Sequence, residues 1–180
     1  TIHRALTREE QQAFLQGARN EWLYEFFCFS LCTGMRINEI NALKWGDIDY
    51  INNVIHVTKT VSRKKGGGIE ETTPKSGTSK RDIPMNDTIK MQKDKIAIFY
   101  GDIFARKLSN NIFLGSNGSK AIASHTVSYS IDKVLGQLRQ QGTEIERFTH
   151  HAFRDTFATR YIEEGGNMKT RQMILGHSSL

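Results

Sequence analysis

Cys32-Thr33-Gly34-Met35-Arg36-Ile37-Asn38-Glu39 is the stretch in which one predicted helix ends and another begins. The strongly apolar segment before it, from about Trp22 to Cys32, predicts a helix, and Gly34 is a typical residue at a helix C-terminus. Arg36 opens the next helix, because apolar residues recur at helical spacing after it. Arg36 and Glu39 share one face of that helix, so they can act as a pair.

The rest of the chain predicts further helices around one insert of strands. Thr7 and Glu10 have the spacing of a capping box, so a helix should run from there to about Ala18. After Asp47 the pattern changes, and turn residues separate strands predicted at about 54–61, 69–73 and 81–84. Helices return at about 88–106, 124–140, 151–164 and 169–175. The fold class is therefore α+β, a mainly helical domain with a small antiparallel three-stranded sheet.

Length and composition favour a single domain. A chain of 180 residues with 38% hydrophobic content can bury one core. No apolar run is long enough to cross a bilayer, and no secretory segment opens the chain, so we expect no membrane partner and a cytoplasmic location. Because the chain also lacks an initiator Met, we expect an excised domain at residues 7–180, preceded by an interdomain linker remnant at residues 1–6.

The two cysteines lie four positions apart in an apolar helical segment, as Cys28 and Cys32. Metal binding or redox chemistry is one interpretation of this pair. We favour the other, in which both are buried thiols, because a free cysteine packs as a small hydrophobic side chain.

Positive charge is concentrated in one part of the chain. The net charge is +6 and the isoelectric point about 9.4. Seven basic residues outnumber two glutamates between residues 59 and 81. A solvated hairpin explains such a run, but phosphate-binding residues elsewhere in the chain favour nucleic-acid contact. The candidate DNA contacts in this segment are Lys59, Arg63, Lys64, Lys65, Lys80 and Arg81.

Two arginines, two histidines and a lysine form a residue set that can hold a phosphodiester and move protons around it. A guanidinium presents a rigid fork of hydrogen-bond donors. Arg36 and Arg154 can therefore bind both non-bridging oxygens and neutralise the extra negative charge of a five-coordinate phosphorus. His151 lies one helical turn before Arg154 and can face the same phosphate. Lys75 lies at a glycine-containing turn, where it can protonate a leaving oxygen, and His177 lies at a predicted helix end.

Four motifs in this order resemble the signature boxes of the tyrosine recombinase family, the phage-type integrases that also move conjugative transposons. The resemblance extends from about Leu6 to the last residue. The motifs are Thr-Gly-Met-Arg-Ile-Asn-Glu at 33–39, Pro-Lys-Ser-Gly at 74–77, His-Ala-Phe-Arg-Asp-Thr-Phe-Ala-Thr at 151–159 and Ile-Leu-Gly-His-Ser-Ser-Leu at 174–180.

The resemblance implies a role for each matching residue. Arg36 and Arg154 correspond to the paired phosphate-binding arginines, and Glu39 to the acidic residue of the first box. The other matches are Lys75, the hairpin lysine that protonates the 5′-hydroxyl leaving group; His151, the histidine of the His-x-x-Arg box; and His177, the second histidine that hydrogen-bonds the phosphate.

The resemblance also implies a reaction that needs neither a metal nor another cofactor. A tyrosine hydroxyl attacks a DNA phosphodiester, forms a 3′-phosphotyrosyl link and releases a 5′-hydroxyl, and the partner strand's 5′-hydroxyl then attacks that link. The implied partner is double-stranded DNA at recombination sites. We expect a homotetramer of the full-length bacterial protein on DNA and a monomer for this fragment.

Two features depart from the family pattern. Asp155 stands where many members have a second histidine directly after the arginine. The family's nucleophilic tyrosine lies shortly beyond the Leu-Gly-His histidine, and none of the five tyrosines here has that position. Tyr161 has helical spacing with Phe153 and Phe157, which favours core packing. We therefore expect the fragment to be truncated before the nucleophile and inactive alone.

Two alternatives remain open at this point. A DNA-binding module could keep this fold and lack catalysis, in which case no tyrosine follows the Leu-Gly-His motif in the parent protein. A metal-dependent phosphodiesterase could use His150, His151 and Asp155, although no second carboxylate cluster stands near them in sequence.

Overall fold

Helix boundaries in the computed structural model fall close to the predicted positions. The structure describes residues 4–73, 79–101, 107–115 and 121–176. Within these ranges no helix is long and apolar enough to span a membrane. The helices are α1 (Arg8–Gly17), α2 (Tyr24–Thr33), α3 (Ile37–Ala42), α4 (Asp87–Tyr100), α5 (Ser124–Gln140), α6 (His151–Glu163) and α7 (Met168–Leu175).

One helix is shorter than predicted. We expected a helix to about residue 106, whereas α4 ends at Tyr100. Gly101 follows with a φ of 87°, a conformation that does not continue a right-handed helix. Residues 102–106 lie outside the described part of the chain.

The strands form two small sheets instead of the single one predicted. A three-stranded antiparallel sheet is confirmed, in the order β1-β2-β5, but its members differ from those expected. The predicted strand at 54–61 is interrupted at residues 58–59, and its second half pairs with β4 as a separate hairpin. The strands are β1 (Ile48–Asp49), β2 (Val54–Val57), β3 (Thr60–Arg63), β4 (Ile69–Thr72) and β5 (Arg81–Pro84).

Side-chain caps set the starts of the helices that matter for the site. In the predicted capping box, the Thr7 hydroxyl accepts the Glu10 N–H at 3.1 Å and the Glu10 carboxylate accepts the Thr7 N–H at 2.9 Å. At the start of α3, the Glu39 carboxylate accepts the Arg36 N–H at 2.9 Å. Each bond satisfies a donor that a helix N-terminus leaves free, so α3 begins at a fixed residue.

Aromatic side chains form the centre of the core and hold α6 in place. The ring of Phe153 in α6 lies 5.5 Å from that of Phe27 in α2 and 5.8 Å from that of Phe148. Phe14 in α1 lies 5.2 Å from Phe27, edge to face. All four side chains are buried. Because Arg154 follows Phe153 directly, this packing also fixes the position of Arg154.

The first described residues pack against the domain, although we assigned residues 1–6 to a linker. Leu6 is 1% exposed, and its N–H donates to the Thr156 hydroxyl at 2.9 Å. The Leu6 carbonyl accepts from Arg160 at 2.7 Å, and Arg4 forms an ion pair with Glu10. Leu6 therefore belongs to the hydrophobic core of the domain, because burial removes its apolar side chain from water.

Candidate active site

Four charged side chains from three parts of the chain meet at one place, and we call them the arginine centre. Arg36 and Glu39 come from the start of α3, Arg81 from β5 and Arg154 from α6. Nη1 of Arg36 lies 3.1 Å from Oε1 of Glu39, and Nη1 of Arg81 lies 2.8 Å from the same oxygen. The charges of Arg36 and Arg81 also act on Arg154. Three cations around one carboxylate leave an excess of positive charge.

Glu39 is the buried anion of this centre. Its side chain is 4% exposed, and its two oxygens accept four hydrogen bonds, two from Arg36 and two from Arg81. Burial alone raises the pKa of a carboxyl group, but the hydrogen bonds and charge of Arg81, helped by Arg36, lower the pKa of Glu39 below its ordinary value. Glu39 is therefore an ionised carboxylate at neutral pH.

Arg81 occupies a different environment from the one we expected. Its side chain is 5% exposed and forms a two-bond fork with Glu39, at 2.8 and 2.9 Å. Its Nε donates to the Ile174 carbonyl, and Nη1 also donates to the Ser79 carbonyl at 3.2 Å. This burial does not favour the expectation that Arg81 contacts DNA phosphates directly. The sequence could not show this, because the carboxylate that draws Arg81 inward lies 42 positions earlier.

Arg154 joins the first and last sequence motifs. Its Nη1 donates to the Gly34 carbonyl at 2.6 Å, and its Nη2 donates to the Leu175 carbonyl. Burial, followed by the charge of Arg36, lowers the pKa of Arg154 to about 10, so it is still protonated at neutral pH. Both described bonds go to neutral carbonyl groups, unlike the carboxylate bonds of Arg81. Arg154 therefore keeps a positive charge that can be directed at an anion.

Gly34 is required by the close approach of α6 and α7 to the end of α2. Its φ is 65°, the left-handed conformation common at helix C-termini. A Cβ at this position would lie 2.4 Å from Cδ1 of Phe157 and 3.0 Å from Cδ2 of Leu175. A residue without a side chain is thus what lets the Gly34 carbonyl reach Arg154.

His151 lies at the first position of α6, three residues before Arg154, and its side chain is exposed. Its ring centre is 4.2 Å from that of His150. Burial, followed by the charge of His151, lowers the pKa of His150 to about 4. His150 is therefore neutral at physiological pH, and the accessible proton-exchanging group of the pair is His151.

Lys75 and His177 lie outside the described residues, but the chain on one side of each is described. Ser79, four residues after Lys75, gives its carbonyl to Arg81 at 3.2 Å. Ile174 and Leu175, just before His177, give theirs to Arg81 and Arg154. Ser79, Ile174 and Leu175 therefore border on the arginine centre.

The remaining candidate DNA contacts lie at the surface. Arg63, Lys64 and Lys65 are exposed at the β3–β4 turn, which the Lys64 N–H closes by donating to the Gly68 carbonyl at 3.1 Å. We call residues 60–72 the basic hairpin. Lys80 is also exposed, whereas Lys59 is half-buried and lies 3.3 Å from Asp47. A partly shielded pair such as Lys59 and Asp47 has less charge available for DNA.

The cysteines and Tyr161 belong to the packing of the helices. Both thiols are free and partly buried, and burial raises the pKa of Cys28 to about 11 and that of Cys32 to about 12. Such thiols are almost fully protonated at neutral pH and react slowly. The ring of Tyr161 packs beside that of Phe157, with centres 6.0 Å apart, as its helical spacing predicts.

Metal-dependent phosphodiester cleavage needs a cluster of side chains that can bind the ion. Within the described ranges, no cluster of three or more His, Cys, Asp or Glu side chains has a geometry that could hold a metal ion. His150, His151 and Asp155 all lie in those ranges.

Comparison with protein families gives a match along nearly the whole chain. The model described as "Phage integrase family" matches residues 4–180. The transposase from transposon Tn916 of Enterococcus faecalis is 26% identical over 97% of this chain and 45% of its own length. The tyrosine recombinase XerC of Chlamydia muridarum is 27% identical over 91% of this chain and 44% of its own. The chain thus spans less than half the length of either relative.

Solved structures show the same fold. The Tn1549 transposon integrase, in complex with a circular intermediate DNA, matches 99% of this chain and 59% of its own with a TM-score of 0.84 and 26% identity. A lambda integrase tetramer bound to a Holliday junction matches 99% of this chain and 48% of its own with a TM-score of 0.63 and 22% identity, a likeness of fold alone.

Proposed function

The chain belongs to the phage integrase family, and from that premise we propose that it is the catalytic domain of a site-specific DNA recombinase. The domain cleaves and rejoins DNA through a 3′-phosphotyrosyl intermediate. One observation carries most of the proposal: the Arg154 guanidinium bonds the carbonyls of Gly34 and Leu175. Three motifs far apart in sequence are joined through this side chain, which itself has the chemistry to bind a phosphate.

Arg36 and Arg154 bind the scissile phosphate in this proposal. Arg36 is 43% exposed although it contacts the buried Glu39, so part of its donor fork can reach a ligand. Arg154 stays protonated and contributes the second fork. The extra negative charge of a five-coordinate phosphorus is then met by two cations whose positions are already fixed. Glu39 holds Arg36 by two hydrogen bonds without touching DNA.

The proton transfers fall to Lys75, His151 and His177. The attacking tyrosine gives its proton to the His151 imidazole as its oxygen bonds to phosphorus, and the departing 5′-oxygen takes a proton from Lys75. His151, exposed one helical turn before Arg154, and His177, next after Gly176, donate hydrogen bonds to the phosphate oxygens. The phosphotyrosyl link conserves the energy of the cleaved DNA phosphodiester bond, so rejoining needs no ATP and no metal.

The nucleophile and the partners complete the proposal. We place the attacking tyrosine beyond Leu180, because the five tyrosines in residues 1–180 do not match the family position. The partner is double-stranded DNA at recombination sites, which the exposed cations of the basic hairpin and Lys80 contact through phosphates. The full-length protein acts as a homotetramer on that DNA in the bacterial cytoplasm, on the chromosome or a mobile element, and this domain alone is a monomer.

Covalent capture of DNA tests the proposal. A chain extended past Leu180 by its own downstream coding sequence is mixed with a nicked duplex that loses its 5′-hydroxyl strand on cleavage, in buffer with EDTA. We expect a protein–DNA adduct that survives denaturing electrophoresis, and loss of the adduct when the downstream tyrosine is replaced by Phe. Binding without an adduct would identify the DNA-binding module instead, and an adduct formed only with added metal would contradict the proposed chemistry.

A further inference from the structure

We propose that Arg81 is a positioning residue for strand cleavage, binding Glu39 so that Arg36 commits only one guanidinium nitrogen to that carboxylate and keeps the rest of its donor fork for the scissile phosphate. This inference rests on the proposed function. Arg81 itself does not touch DNA, because its side chain is 5% exposed and its nitrogens are engaged within the protein. It acts through two neighbours, the Glu39 carboxylate and the C-terminal end of α7.

The first action is competition for Glu39. Arg36 and Arg81 both donate to Oε1 of Glu39, at 3.1 and 2.8 Å, but Arg81 also donates to Oε2 at 2.9 Å and is the more buried partner. A buried carboxylate that loses its main partner must be compensated by another cation. Without Arg81, that cation is Arg36, whose guanidinium would turn from the phosphate towards Glu39.

The second action fixes the chain before His177. Arg81 donates to the Ile174 carbonyl and Arg154 to that of Leu175, so two arginines hold adjacent carbonyl groups in the last turn of α7. The last carbonyl groups of an α-helix have no partner within the helix and carry the negative end of its dipole, which favours cations there. Gly176 follows with a φ of 66° and leads directly to His177. Arg81 therefore contacts both Glu39, in the helix that Arg36 caps, and Ile174, three residues before His177.

The test uses the extended chain and compares Arg81→Met with Arg4→Met. Arg4 is a matched control, since it also forms a fork with a carboxylate, Glu10 at 2.7 and 3.1 Å, and donates to a carbonyl, that of Glu146 at 2.8 Å. Three quantities are measured for each variant: the melting temperature, the Kd for DNA, and the single-turnover rate constant of cleavage at saturating DNA. The rate constant reports only on protein that is folded and bound.

We expect a lower melting temperature in both variants. Only Arg81→Met should cleave more slowly, by about a hundredfold, because displacement of a phosphate-binding group lowers the rate constant by about that factor. Arg81→Lys keeps the charge without the fork and provides a folded variant if Arg81→Met does not fold; it should also cleave slowly. A rate constant equal to that of the unaltered protein in either folded Arg81 variant overturns the inference.

A second substitution separates positioning from stability. Replacing Glu39 by Gln in the Arg81→Met background removes the charge that captures Arg36, so the double variant should cleave about tenfold faster than Arg81→Met. If Arg81 only stabilised the fold, the double variant would cleave no faster than Arg81→Met, and the inference would be overturned. Failure of the unaltered extended chain to form any adduct overturns the proposed function and this inference together, whereas an active chain with a normal Arg81→Met rate overturns this inference alone.

Discussion

The arginine centre and the basic hairpin are both rich in cations, yet they are built in opposite ways. In the centre, Glu39 and Arg81 are 4% and 5% exposed and share two short hydrogen bonds. In the hairpin, Arg63, Lys64 and Lys65 are exposed around a turn of three glycines. Arg81 and these residues belong to one basic run in the sequence. Burial beside a carboxylate is what separates them.

This contrast shows that the arginine centre needs a fixed geometry to bind a ligand, whereas the basic hairpin needs only its charge. Buried, hydrogen-bonded arginines hold fixed directions, so a small displacement changes what they can bind. Exposed lysines on a turn contribute a positive potential that tolerates movement and is screened by salt. Substitutions in the two regions should therefore change different measured quantities.

The largest effect is expected from Arg154→Lys in the extended chain. Lysine keeps the charge but loses the planar fork that spans the Gly34 and Leu175 carbonyls and the phosphate, so the cleavage rate should fall by about a hundred- to a thousandfold. Single-turnover cleavage of a nicked duplex measures this. Arg160→Lys is the control on the same helix, because Arg160 donates to the Leu6 carbonyl. An equal loss in both variants would mean that the region responds only to stability.

Gly34→Ala should have the next largest effect, by opening the arginine centre without changing its charges. Strain at φ 65° and contact with Phe157 should lower the free energy of unfolding by about 1–3 kcal/mol. Urea unfolding measures this. Gly136→Ala is the control, because nothing lies within 4 Å of a Cβ at that position of α5 and a helical alanine should stabilise. Equal stability of Gly34→Ala and the unaltered domain would refute the close approach described here.

The hairpin should give a smaller effect that depends on salt. Replacing Lys64 and Lys65 by Gln should weaken DNA binding and flatten the plot of log K against log salt by about 0.9 per lost phosphate contact. Fluorescence anisotropy between about 50 and 200 mM salt measures the slope. The melting temperature should not change, since both side chains are exposed. Lys59→Gln should change the slope less, because Lys59 pairs with Asp47; an unchanged slope in the double variant would exclude the hairpin as a contact.

The smallest effect should be a dependence of stability on pH that arises in the sheet formed by β1, β2 and β5. His56 in β2 has Nδ1 2.6 Å from Asp82 in β5 and Nε2 3.3 Å from Asp49 in β1. The hydrogen bond and charge of Asp82, with help from Asp49, raise the pKa of His56 above its ordinary 6.5. Its stabilising contribution is therefore complete below pH 6.5 and is lost as the pH rises through the raised pKa.

Urea unfolding at pH values from about 6 to 8.5 follows this loss. Stability should decline across that window in the unaltered domain, and His56→Gln should decline less. Parallel curves for the two proteins would show that the contacts of His56 with both aspartates contribute nothing measurable.

Most helices could be predicted because their signals are local. The capping box at Thr7, Gly34 after α2 and the run at 124–140 each depend on a few neighbouring residues. The sheet was harder, because β1 has only two residues and the pairing of β2 with β5 joins positions 24 to 30 residues apart. Pairing over that distance depends on what else packs nearby, which no local pattern records.

The motifs, their order, and the helical spacing that puts His151 and Arg154 on one face can be recognised in the amino-acid sequence alone. Only the tertiary structure decided that Arg81 joins Glu39 while Lys64 faces solvent, and that Arg154 reaches the carbonyls of Gly34 and Leu175. The physical reason is that charge type is a property of one residue, whereas burial and hydrogen-bond partners depend on where distant segments pack.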